Sequence, residues 1–282
     1  MQGRAFFVPA SNAALGQRFC LFYPAVGAPR GKVLYVHPFA EEMNKSRRMA
    51  ALSARALARA GFAVLQIDLL GCGDSFGDSG DARWSDWLDD VALAGRWLQT
   101  EAAGPLWLWG LRAGCLLASQ AAARIDEPCH FLFWQPPPSG KPLVQQFLRL
   151  KAAGDLLSGD AKGVMQALRQ QIEGGQPVEI AGYTLQSELI RGFESAALTP
   201  PVGAPAGMRV AWLEVSNQSD PSLTPASVLA AERWSAAGFD VDSQVIAGPA
   251  FWQTTEIEAA PLLIEATVAA LLEASTAGAR AP

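Results

Sequence analysis

Short, continuously apolar runs recur along this chain, separated by segments of helical periodicity, and few folds accommodate that pattern. The runs at 33–36, 63–67, 106–109, 130–134, 210–215 and 244–247 read as strands. Helices are predicted at 45–60, 84–100, 113–124, 226–237 and 259–274, the first ended by Gly61. Strands apolar on both sides must be covered on both sides, which predicts a doubly wound, mostly parallel sheet with helices on each face. Ahead of this rhythm, 5–8 and 19–23 alternate around polar residues and read as an antiparallel pair at the sheet edge.

After Pro136-Pro137-Pro138 the alternation stops, and 143–197 reads as mostly helical, with one extended piece at 178–180. The expected organisation is therefore an α/β core of residues 1–138 and 199–274, a helical cap inserted at 139–198, and a flexible tail at 275–282. A chain of 282 residues, half of them apolar, can bury one large core.

The formal charge of -5 argues against a nucleic-acid partner. Cys20, Cys72, Cys115 and Cys129 lack paired spacing and there are only two histidines, so no metal site and no cofactor are expected. The apolar stretch near the N-terminus is short for a signal peptide, and no window approaches the roughly 18 apolar residues of a membrane span. The expected location is cytoplasmic.

Ligands of a doubly wound sheet bind beyond the carboxyl ends of its strands. The most distinctive loop there is Gly110-Leu111-Arg112-Ala113-Gly114, a strand entering a helix through G-x-R-x-G. It resembles the G-x-S-x-G elbow of α/β hydrolases, in which two glycines permit a strained turn that exposes the central side chain. The resemblance extends over nearly the whole chain. His37-Pro38-Phe39 resembles the family's oxyanion loop, Asp68 to Ser75 its D-x-x-G-x-G-x-S turn, and Ser219-Asp220-Pro221 its acid loop. Gly248-Pro249-Ala250-Phe251-Trp252 stands where the family carries its histidine. The resemblance implies an α/β-hydrolase fold with a helical cap, and triad positions at Arg112, Asp220 and Phe251. More narrowly, Gly110-Leu111-Arg112, the stretch from Gly248 to Glu256 and the stretch from His37 to Asn44 resemble the exosortase-associated hydrolase-type proteins. These are the second of two such families found with bacterial exopolysaccharide and protein-sorting genes.

An arginine side chain only donates hydrogen bonds and stays protonated at physiological pH, so Arg112 cannot attack an acyl carbon. Two readings of it stand. Its head pairs internally, with Asp220 or Glu256, or it joins the helix N-terminus behind it in holding a carboxylate, phosphate or sulfate. Phe39 and Trp252 are candidates to line an apolar site, with His37, Leu111, Ala113 and Glu256 as further binding candidates. His37 reads as structural, and His130 lies at a strand start away from the site. Cys115, one turn into the helix, is placed where a helix dipole could lower a thiol pKa, but it is expected to face the sheet rather than the cleft.

Loss of both nucleophile and base predicts a catalytically silent, ligand- or partner-binding protein. The alternative is an unusual hydrolase of an ester, thioester or glycan-linked acyl group. It would use Arg112 as an anion clamp, and Glu41, Glu42, Glu256 or Asp220 to activate water. A docking role in an exopolysaccharide or sorting assembly follows from the family resemblance alone.

Overall fold

The computed structural model describes residues 2–154 and 161–278. Its centre is an eight-stranded sheet ordered β1-β2-β4-β3-β5-β6-β9-β10. β1 (Arg4–Pro9) and β2 (Gln17–Tyr23) are antiparallel, and β2 meets β4 (Phe62–Ile67) antiparallel as well. From there β3 (Gly31–Val36), β5 (Leu106–Leu111), β6 (Cys129–Trp134), β9 (Arg209–Ser216) and β10 (Asp240–Ala247) continue in parallel.

Successive residues of a strand point to opposite faces, so a strand in mid-sheet has to be apolar throughout. In β3, Leu34 and Val36 join the core under α2 (Trp84–Glu101), α3 (Ala113–Ala121) and α7 (Pro225–Ala236). Val33 and Tyr35 join the core under α1 (Glu41–Arg59) and α8 (Pro261–Gly278). The expected tail at 275–282 thus begins inside α8, and its last four residues lie outside the described ones. A buried Arg18–Asp90 pair at 2.7 Å, with the Leu70 N–H donating to Asp90 at 2.8 Å, ties β2 and α2 to the turn after β4.

The cap comprises α4 (Lys141–Gly154), α5 (Ala161–Glu173), a hairpin of β7 (Val178–Ile180) and β8 (Tyr183–Leu185), and α6 (Ser187–Ser195). The chain leaves and re-enters the core side by side. Ser139 bridges to Ala197, the Gly140 N–H donates to the Ala196 carbonyl at 2.9 Å, and the Leu198 N–H donates to the Pro138 carbonyl at 3.0 Å.

His130, in β6, is far from any catalytic duty. Its ring stacks on Trp107 with centroids 4.8 Å apart, and its Nδ1 accepts the Arg209 N–H at 2.9 Å. Burial, helped by the Arg209 charge, pulls its pKa from 6.5 down to about 4. The unfolded chain therefore takes up this proton first, and stability is lost as pH falls through that window. The loss is on the order of 2 kcal/mol, allowing for partial solvent screening. His130→Gln, which keeps an acceptor, is expected to flatten urea-unfolding stability between those pH values; an unchanged slope would refute the assignment.

Candidate functional site

The elbow is formed as the glycines require. Arg112 alone links β5 to α3, at φ 53 and ψ -117, with its N–H donating to the Trp134 carbonyl at 3.0 Å. A non-glycine residue in such a conformation is strained by about 1–3 kcal/mol and persists only where its surroundings enforce it. A Cβ on Gly110 would lie 2.5 Å from the Cys115 backbone, and one on Gly114 only 2.1 Å from the Val36 carbonyl oxygen.

The Arg112 guanidinium turns to the N-terminus of α1. Its Nε and Nη2 donate to Glu42 Oε1 at 3.3 and 3.2 Å, and Nη2 also reaches Gln146 Oε1 of α4 at 3.5 Å. Trp252 lies against it, with Cζ 5.8 Å from the ring centroid. The internal partner is thus Glu42. Asp220 and Glu256, the acids expected from sequence, are exposed, and neither bonds Arg112 among the described residues. Glu42, expected from sequence only as a candidate to activate water, was missed as the partner of Arg112 because α1 begins four residues earlier than its periodicity suggests, which moves Glu41 and Glu42 from a loop into its first turn. Burial raises the Glu42 carboxyl pKa, against the lowering pull of Arg112 and a hydrogen bond with the Gln253 side chain.

Where a base would stand after β10, two aromatic residues fill the space. Phe251 is fully buried, edge-on to Trp134 with centroids at 6.0 Å, and to Trp252 at 5.1 Å. His37 is equally committed. Its Nδ1 lies 2.8 Å from the Pro38 carbonyl and its Nε2 accepts the Leu69 N–H at 3.3 Å, which places the ring proton on Nδ1. Burial lowers its pKa and keeps it neutral. Replacing His37 by alanine orphans the Leu69 N–H and is expected to cost about 1–3 kcal/mol in chemical denaturation. A cost within error would show that the contact is dispensable.

The Cys115 thiol is fully buried toward the sheet, as expected, and that burial raises its pKa despite the helix N-terminus. Leu111 is buried in the core. Asp68 holds its turn, accepting from Arg47 at 2.9 Å and from the Asp74 N–H at 3.0 Å.

Two clefts meet at Phe39 and Ala40. The first, about 580 Å³ counted together with its open mouth, is lined by residues including His37, Met43, Cys72, Trp87, Ala113 and Leu117. The second, about 760 Å³, lies where the partners of Arg112 gather, among Glu41, Glu42, Lys45, Gln146, Phe147 and Trp252. Phe39 is clasped by the cap, edge-on to Phe147 at 4.9 Å and to Phe193 at 5.2 Å. The Tyr183 hydroxyl, from the cap hairpin, donates to Glu41 at 3.1 Å. Of the sequence candidates, His37, Phe39, Ala113, Arg112 and Trp252 gather around these clefts; Leu111, Asp220 and Glu256 do not. Among the described residues no group of three His, Cys, Asp or Glu side chains is arranged to hold a metal, and no helix is long and apolar enough to cross a membrane.

Sheet order, strand-elbow-helix and inserted cap together define the α/β-hydrolase fold. Residues 27–151 match the family described as serine aminopeptidase, S33, over less than half of the chain. No curated protein matches the sequence significantly. Solved structures similar to it include the esterase Est1E from Butyrivibrio proteoclasticus with ferulic acid bound, at 17% identity and TM-score 0.66, covering 96% of this chain and 100% of that one. A thermostable carboxyl esterase from Bacillus coagulans is 13% identical, with TM-score 0.62 and coverage of 98% and 99%. XC6422 from Xanthomonas campestris, described as a serine hydrolase without lid, is 13% identical, with TM-score 0.56 and coverage of 100% and 97%. At these identities the likeness is one of fold.

Proposed function

We propose that the chain is a non-hydrolytic α/β-hydrolase-fold protein that binds an acyl small molecule at its former active site. The observation that carries this reading is Arg112 at the elbow, with its charge met by Glu42. Phe251 and Trp252 take the place of a base. The likeness of the elbow and of the two flanking loops to exosortase-associated proteins supports a cytoplasmic role beside exopolysaccharide or protein-sorting machinery.

One feature favours a second reading. Glu42 is a half-buried carboxyl of raised pKa beside the elbow, the kind of group that activates water in an unusual hydrolase. Hydrolysis of a panel of p-nitrophenyl esters and acyl thioesters separates the two. The binding reading predicts no turnover by folded wild type, Arg112→Ser, Glu42→Gln or Asp220→Asn. Wild-type turnover that falls with Glu42→Gln would select the hydrolase.

A further inference from the structure

We infer that Glu42 is a specificity-determining residue: by occupying the Arg112 guanidinium it makes the site select an uncharged carbonyl ligand over the corresponding carboxylate. This rests on the binding reading above and reverses the anion preference that an elbow arginine suggests.

The charges decide it. Among the described residues no Asp, Glu, Lys or Arg side chain lines the first cleft. Its titratable groups are all held uncharged. His37 is neutral, with both ring nitrogens engaged, and burial pushes the Cys72 thiol and the Tyr183 phenol each up to about 12. In the second cleft Glu41 and Glu42 face Lys45, with Arg112 behind, so two carboxylates offset two cations. A carboxylate entering the first cleft gives up its hydration with no unpaired cation to meet it among the described residues, since Arg47, behind Gly73, is already held by Asp68 at 2.9 Å. One reaching for Arg112 must displace Glu42 or lie against it, and both are unfavourable. A neutral amide or ester meets neither obstacle. It can bury its chain among Phe39, Met43, Trp87 and Leu117 and turn its carbonyl to the start of α3, whose first N–H groups have no partner within the helix.

The test uses a matched pair, decanamide and decanoate, kept below micelle concentration and measured by equilibrium dialysis at pH 7.5 against the full chain. Decanamide is expected to bind wild type at least about tenfold more tightly, a difference of about 1.4 kcal/mol. Glu42→Gln frees Arg112 and is expected to tighten decanoate at least about fivefold relative to decanamide. Ser79→Trp, which narrows the first cleft at a half-buried loop position, is expected to weaken decanamide. Equal affinity of the two ligands for wild type, an unchanged ratio in Glu42→Gln, or no binding of either overturns the inference. Turnover of p-nitrophenyl decanoate by wild type would remove the non-hydrolytic reading and leave the charge preference to be judged on the dialysis ratio.

Discussion

Gly114→Ala is expected to remove the folded protein from the soluble fraction. The added methyl would lie 2.1 Å from the Val36 carbonyl oxygen, and also within 2.9 Å of the carbonyls of Val36 and His37. These are backbone atoms at the end of β3, held by ladders to both β4 and β5. No side-chain rotation relieves the contact, so α3 must back away from the sheet and take the Cys115 and Leu116 packing with it. The cost should exceed about 3 kcal/mol, a large part of a domain's net stability. Urea denaturation and soluble yield measure it. A variant as stable as wild type would mean that the elbow is not held as tightly as described.

Arg112→Ala is expected to be the second most damaging change, and its cost should depend on pH. The two side chains of the Arg112–Glu42 pair are only 13% and 19% exposed, and breaking such a pair strands a charge at a cost of about 2–4 kcal/mol. Burial already raises the Glu42 pKa and Arg112 holds it back; without the arginine it climbs further. A carboxyl of raised folded pKa favours the folded state below its ordinary range and loses that contribution as pH rises. The deficit of Arg112→Ala should therefore be small near pH 5 and largest near pH 8. Adding Glu42→Gln should recover part of it at pH 8. A deficit equal at both pH values would show that Glu42 is not the stranded group.

The core was legible because its strands are buried on both faces. The runs at 33–36, 63–67 and 106–109 are apolar throughout, and each lies within an observed strand. The ends of elements where that signal thins were not. β10 begins at Asp240, four residues before its apolar stretch, because an edge strand keeps polar residues such as Asp242 and Ser243 half in solvent. β8 was missed because each arm of its hairpin is three residues, although Ala181-Gly182 supplies the positive φ angles of a two-residue turn. The N-terminus of α1 hid the partner of Arg112. It starts from Ala40 at φ 49 with no side-chain cap, so the Ser, Thr, Asp or Asn that marks a helix start is absent. Arg112 itself could be read as replacing a nucleophile, but not as paired with Glu42, 70 positions away.

The pairing of Ser139 with Ala197 has an engineering consequence. To the core the cap is one long loop whose two ends already touch, so closing the chain there with a tight turn adds little loop-closure cost. The cap is consequently a graftable module. Exchanging it for another insert would leave the sheet order intact and present a new surface to Phe39 and Trp84, the aromatic residues that Phe193 now covers.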